Sequence, residues 1–385
     1  MISSTVQNKI SIRGISMNQE IEEVTNKPFH LVVYHIGGGD GSFGLTDVIP
    51  EIFPDNVLLV EFEIRSNEAD QIKLKKYRED WPAVVSVARC VGGQQKETLF
   101  NINKYPLSSS LLESSELVAD EDPGFDVRGG ATWGLNTELE RKINVKTFSL
   151  PDIIKEFDLP LPDFLSIDAQ GIELDILRGS EDLFEKSILG TFIEAEFFEI
   201  YSGQGLFHEQ MEFYLGHGLR LVETCYIQRW HPGPRMLGRA FETVTEALAI
   251  RFFNPLLKEP SHSLWGAQAL KNLSDAKLVK LMGIARAFEL YSYLGSLGRY
   301  VIEERPEAQA LLAKAPKPLS DAIDFSLFIR DNLPGYREDR DFFLDMKFDR
   351  KSLKFHKLSI WDKFKKQFRR GTRSLHRRVE KAVDF

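Results

Sequence analysis

Residues 31–44 read Leu31-Val-Val-Tyr-His35-Ile-Gly37-Gly-Gly39-Asp40-Gly41-Ser-Phe-Gly44, an apolar β-branched run that breaks into a glycine cluster. A strand buried on both faces reads as such a continuous apolar run. Glycines at its carboxyl end let backbone N–H groups approach a ligand closely. A helix starting at about Ser42 would turn its positive N-terminal end toward the same spot. The stretch therefore predicts a nucleotide-type ligand at the top of an α/β sheet; a glycine-rich turn without a ligand is the plainer alternative. Gly39-x-Gly41-x-x-Gly44 satisfies the dinucleotide fingerprint, and Glu63 stands where a ribose-binding acid belongs. S-adenosylmethionine (SAM) sites use the same geometry, so the fingerprint alone does not separate the two.

Working outward, strand-like runs recur at α/β intervals: Val32–Ile36, Val57–Phe62, Ala83–Cys90, Asp163–Ile167, Thr191–Phe198, Leu219–Thr224 and Ala247–Phe252, with an extra strand at Thr98–Asn101. Helical patterns fall between them, notably 172–184 and 209–217. Alternation of this kind predicts a doubly wound parallel sheet. No helical pattern separates the last two runs, which predicts an antiparallel closing strand.

The 385 residues, 43% of them hydrophobic, are ample for one large α/β domain plus an appended module. The only two cysteines, Cys90 and Cys225, fall in apolar runs and are expected to be reduced. The first residues lack the pattern of a signal peptide, and no apolar run reaches the roughly 20 residues a membrane span needs. A cytoplasmic protein is expected. The net charge of −8 is uneven: residues 347–385 hold 14 Lys and Arg against 4 Asp and Glu, an excess of +10, so the preceding residues carry −18. An acidic body makes nucleic acid an unsuited partner for the globular part.

A second informative stretch is Ser166-Ile-Asp168-Ala-Gln170-Gly171-Ile-Glu173-Leu-Asp-Ile-Leu-Arg-Gly179. Ligands of open α/β sheets bind beyond the carboxyl ends of the strands, where Asp168 falls. A carboxylate at the end of a buried strand is costly unless it serves a partner. Glu173, in the first helical turn, is favoured there by the helix dipole whatever else it does.

With these residues in view, the chain resembles FkbM-type SAM-dependent methyltransferases over roughly residues 30–252. The resemblance is carried by the glycine stretch from His35, by Ser108-Ser-Ser-Leu-Leu112, by Ile167–Gly179, by Glu196-Phe197, and by Tyr201-Ser-Gly-Gln-Gly-Leu-Phe207 running into 215–221. It implies a Rossmann-like class I sheet of seven strands and O-methylation, often of a sugar hydroxyl in a glycan, surface polysaccharide or natural product. The cofactor implied is SAM, with His35, Gly37, Gly39, Asp40, Gly41, Glu63 and Asp168 around it. Asp168 is the leading candidate to deprotonate or orient the acceptor, and His231, in Arg229-Trp-His231-Pro-Gly-Pro, is the second. Glu173, Tyr201 and Trp133 are candidate acceptor contacts. His208 and His217 are weaker candidates, His217 being better read as packing. The family usually has Asp at the position of His35 and Glu at that of Gln170, so both differences remove a carboxylate near the expected cofactor. No His/Asp/Glu cluster has convincing ligand spacing in the sequence, which leaves the metal unassigned. Two alternatives stand beside this reading: a catalytically silent glycan-binding or assembly protein, and an NAD(P)-dependent oxidoreductase.

The expected organisation is an N-terminal extension (1–30), the methyltransferase-like domain (31–255), a helical module (256–345) and a basic tail (346–385). The acidic, glycine-bearing insertion 113–140, with Gly129, Gly130 and Trp133, reads as a lid or a disordered loop. In the module, Ser274 is a good N-cap, and Leu278, Leu281, Ala285 and Phe288 form an apolar stripe suited to the catalytic domain or a homo-oligomer contact. In 358–385, Ile360, Trp361, Phe364, Phe368 and Leu375 fall near helical spacing among lysines and arginines. That pattern suits an anionic membrane surface, giving a peripheral place at the inner membrane face.

Overall fold

The structure is a computed structural model and describes residues 9–10, 16–27, 30–37, 48–62, 81–119, 133–225, 229–230, 241–257, 263–332, 346–349 and 354–357. The chain divides into two compact units, Met1–Ser320 and Asp321–Phe385.

The first unit is built on one mixed sheet. In chain order its strands are β1 (Lys9–Ile10), β2 (Leu31–Gly37), β3 (Val57–Phe62), β4 (Ala83–Val87), β8 (Phe164–Asp168), β9 (Gly190–Glu196), β10 (Leu219–Cys225) and β13 (Val244–Arg251). They lie in the order β1-β4-β3-β2-β8-β9-β13-β10. β2, β3, β4, β8 and β9 are parallel, and β13 runs antiparallel to both β9 and β10. Seven strands thus form the Rossmann-like α/β sheet the sequence predicts, and the two-residue β1 adds an eighth, antiparallel to β4. β2 and β3 are buried on both faces, which is why they read as unbroken apolar runs. The sheet order reverses between β2 and β8, and the crevice at such a switch point is where ligands of open α/β sheets bind.

Three local expectations are corrected. The run Ala83–Cys90 divides: β4 ends at Val87, and β5 (Cys90–Val91) joins a second sheet of order β5-β7-β6 with β6 (Lys96–Asn103) and β7 (Leu139–Phe148). β7 was not anticipated because its apolar residues are spread among charged ones and most of it is exposed; pairing along β6 holds it. The single helix expected over 172–184 is two, Glu173–Arg178 and Glu181–Lys186. The chain breaks at Gly179, where it packs backbone to backbone on Gly93: a Cβ at Gly179 would lie 2.2 Å from the Gly93 carbonyl oxygen. Cys90 and Cys225 are not joined in a disulfide.

Helices Ala267–Asn272, Asp275–Ala287, Tyr291–Glu304 and Pro306–Leu312 follow the sheet. Ser274 caps the second, its hydroxyl accepting the Lys277 N–H. That helix packs on the amino-terminal half of the sheet: Phe288 stacks on Phe164 at 5.6 Å, Gly283 lies against the Phe53 ring, and Lys280 pairs with Asp163 at 2.7 Å. The apolar stripe is therefore spent inside the chain, at the end of the strands opposite Gly37 and Asp168.

In the second unit, β14 (Met346–Asp349) and β15 (Lys354–Lys357) form an antiparallel pair. The segment 358–385, with its expected amphipathic helix, lies outside the described residues, as do the expected helix start at Ser42 and Gly129-Gly130. Among the described residues no helix is long and apolar enough to cross a membrane.

Candidate functional site

The tips of β2 and β8 are locked together. Gly37 is the register partner of Asp168 and has φ +82°, and a Cβ there would lie 1.8 Å from the Asp168 carbonyl oxygen. Only glycine fits both the left-handed conformation and the contact. Beyond Asp168 the chain turns through Gln170 (φ +55°) and Gly171 (φ +102°), two left-handed residues in succession.

Four side chains hold this turn. Glu173, 0% exposed, accepts the Ala169 N–H at 2.7 Å and the Gly171 N–H at 2.9 Å. Ser110 donates its hydroxyl to the Gln170 carbonyl at 2.6 Å. The Tyr201 hydroxyl lies 2.9 Å from both the Ser108 carbonyl oxygen and Gln170 Oε1, with one proton to share between them. Gln204 in turn receives the N–H groups of Ile200 and Tyr201 on Oε1, at 2.8 and 2.6 Å. Glu173 and Tyr201 are thus buried and occupied with the turn itself. Both were expected as acceptor contacts; among the described residues the hydrogen bonds of these side chains go to the turn and its neighbours.

The Gln170 side chain is the centre of the arrangement. Its Nε2 donates to Asp168 Oδ1 at 2.5 Å and to Glu194 Oε2 at 2.8 Å, while its Oε1 faces Tyr201. Asp168, Glu173 and Glu194 each present an oxygen, all within 4.8 Å of one another. The sequence shows no cluster of ligand spacing, and adjacent strands assemble this one. Glu196 is a fourth carboxylate, 1% exposed. Burial, with the Asp168 charge adding to it, pushes the Glu173 carboxyl up to about 7; burial and the charges of Glu173 and Asp168 push Glu196 well above the usual range. The Tyr201 hydroxyl is held well above its ordinary value by burial and by Glu194 and Glu196.

His35 sits one step down the sheet. It is 1% exposed, between its register partners Glu61 on β3 and Ser166 on β8, with Nδ1 2.9 Å from Ser166 Oγ. Burial drives its pKa down to about 3, so the ring is neutral at ordinary pH. Glu61 continues this polar row to Ser86, whose hydroxyl donates to it at 3.4 Å.

Trp133 opens the helix Trp133–Asn136, is half-buried, and packs on a cluster of Val118, Ile200, Tyr201 and Val244. The carboxyl-terminal part of the 113–140 insertion is thereby fastened beside the site, and Ser114 bridges to Tyr201 from its other end. His217 stacks on Phe213 at 4.2 Å with Nε2 3.1 Å from Glu181, the packing role expected of it. Gly39, Asp40, Gly41, Glu63 and His231 lie outside the described residues.

These features can be set against known proteins. Residues 84–221 match the methyltransferase FkbM domain. The family read from the motifs is the family matched, and the match contains the Ser108–Leu112, Asp168–Gly179 and Tyr201–Phe207 segments while beginning after the glycine stretch. Among solved structures, the chain is similar to methyltransferase FkbM from Methylobacillus flagellatus KT, at 11% identity and a TM-score of 0.30, over 57% of this chain and 44% of that one. The chain thus spans less than half the length of that protein. No curated protein matches it.

Sequence reasoning singled out Asp168 and passed over Glu194. A signal was present: Glu194 and Glu196 alternate at the carboxyl end of an otherwise apolar strand, which sets both on one face. Gln170 was noticed only as a missing carboxylate, whereas the fold uses both ends of its amide.

Proposed function

We propose that this chain is a SAM-dependent O-methyltransferase acting on a hydroxyl of a sugar, in a glycan or related metabolite. The observation that carries the reading is Asp168, at the strand tip on the switch point of a domain that matches the FkbM family. The described residues fit such a cofactor: Gly37 lets the tips of β2 and β8 meet backbone to backbone at the crevice, and the neighbouring side chains are carboxylates, suited to an ammonium and a sulfonium. SAM supplies an electrophilic methyl group when bound. Gly37, Gly39, Asp40 and Gly41 would hold its amino-acid end, and Glu63 its ribose hydroxyls. Asp168 orients the acceptor hydroxyl and takes its proton, held in place by the Gln170 amide. His231 is the second candidate for that proton. Glu173 and Tyr201 keep the turn rigid, and Trp133 offers its indole face to an apolar sugar face.

Calorimetry with SAM and with NAD tests the reading. SAM binding without NAD binding is expected, and Glu63→Ala weakens SAM about ten- to a hundredfold through the lost charge-assisted hydrogen bonds. NAD binding alone would support the oxidoreductase, and binding of neither the silent glycan-binding protein. Unchanged SAM affinity in Glu63→Ala would transfer the ribose contact to another acid.

The basic segment 358–385 gives this enzyme a place at an anionic membrane surface, where each lysine or arginine contributes about 1 kcal/mol. The full chain should sediment with anionic liposomes at low salt and be released by deletion from Leu358, with activity on a soluble acceptor retained. Equal sedimentation of the two proteins would refute this placement.

A further inference from the structure

β6 pairs with β7 along its length, whereas β5 reaches only Thr147 and Phe148 on the other side. Residues 140–145 thus present a second edge to which, among the described residues, no strand is paired. Asn101 exchanges both of its backbone hydrogen bonds with Ser110, so its N–H and C=O point away from β7. Alternation along an antiparallel ladder then gives the bonds to β6 to Arg141, Ile143 and Val145, opposite Ile102, Phe100 and Thr98. Glu140, Lys142 and Asn144 therefore aim their N–H and C=O at the open edge. The strand is exposed from Leu139 to Asn144, with Leu139 at 46% and Ile143 at 37%. An open edge of this kind is a template for another strand.

We propose that this edge pairs with the same edge of a second copy of this chain, antiparallel about a two-fold axis at Ile143. The charges of the strand choose both the occupant and the register. In a symmetric antiparallel pair the residue on the axis faces its own copy, and every other contact occurs twice. An axis at Arg141 or Lys142 sets a cation against itself, and one at Asn144 sets Lys142 against the partner's Lys146; such pairs repel. An axis at Ile143 sets Glu140 against the partner's Lys146, Lys142 against the partner's Asn144 and Arg141 against the partner's Val145. The two Ile143 side chains meet at the centre, and no like charges stand opposite one another. The backbone groups this register joins are the outward ones of Glu140, Lys142 and Asn144. Glu140 is available for it: in the single chain it pairs with its neighbour Arg141, and both side chains stay more than half exposed. β6 and β7 of the two copies then form one four-stranded antiparallel sheet. The far edge of β6 carries Ser110, which holds the Gln170 turn, so the interface braces the wall of each site. Pairing of the edges does not depend on the methyl-transfer reading.

The test is sedimentation velocity of the full chain over a series of micromolar concentrations, where a dimer is expected. Glu140→Lys and Lys146→Glu each place like charges opposite one another twice and should each weaken the dimer at least about tenfold. The double variant restores opposite signs and should recover the wild-type dissociation constant, which only this register requires. Asn144→Pro removes an outward N–H and spares the bonds to β6, so it should give a folded monomer, checked by circular dichroism. Lys186→Ala, which removes an exposed lysine paired with Asp182, should leave the dimer unchanged. A wild-type chain that stays monomeric overturns the proposal and leaves the edge to some other strand. So does a dimer that ignores both single charge reversals, or a double variant no tighter than the singles.

Discussion

The two ends of β8 each carry an aspartate, and they are treated in opposite ways. At the amino-terminal end, Asp163 is 3% exposed, and its Oδ2 accepts the Val32 N–H at 2.9 Å and Lys280 Nζ at 2.7 Å. Burial pushes its carboxyl up and Lys280 pulls it down. The lysine comes from the helix Asp275–Ala287, so this charge is answered within the fold and fastens the helical module to the sheet. At the carboxyl end Asp168 is half-buried and meets an amide and further carboxylates, and Glu173 and Glu196 beside it enter no ion pair among the described residues. A buried charge with a built-in counter-charge marks structure. At the carboxyl end Glu173 is held by backbone N–H groups instead, at the end of the sheet where ligands of open α/β folds bind.

The comparison can be broken in three ways. The largest effect is expected at the open end: Asp168→Asn should lower methyl transfer about a thousandfold while leaving the melting temperature near that of the wild type. An equally large loss of stability would make Asp168 as structural as Asp163. Next, Lys280→Met strands the buried Asp163 charge and should destabilise the chain by about 3 kcal/mol in urea unfolding, with kcat per folded molecule retained. Intact stability would show that the Val32 N–H suffices for Asp163. The smallest effect lies between the ends, at His35. The unfolded chain takes up a proton near pH 6.5 that the folded chain refuses until about 3. Stability should therefore fall as the pH drops through that window, by about 1.4 kcal/mol per unit from this group. His35→Gln should make the acid slope of denaturant midpoints shallower by that amount; an unchanged slope would mean that the imidazole titrates normally.

Much of the sheet was legible because its signals are local. Runs such as Val57–Phe62 are apolar at every position since both faces are covered, and the glycine after Ile36 marks a strand tip whatever lies beside it. β7 was illegible for the converse reason: a strand that faces solvent along most of its length carries only a broken apolar pattern, and its pairing with β5 and β6 defines it. The break at Gly179 was likewise hidden, because its cause is the backbone of Gly93, far away in the chain.

The same division runs through the site. The sequence by itself determined that a carboxylate, Asp168, would stand at the end of a buried strand followed by a turn containing Gly171, because strand length, burial and glycine placement are properties of contiguous residues. It also determined the asymmetry of charge between the acidic body and the basic end, which is a matter of counting. Only the tertiary structure decided which acids would meet. Asp168 and Glu194 come together through the register of β8 on β9, Asp163 and Lys280 through the docking of a helix, and Gln170 acquired its bridging role only once Tyr201 and Ser110 had fixed its turn. Register and docking are set by which faces bury the most apolar surface across the whole sheet, and no local stretch of residues encodes that.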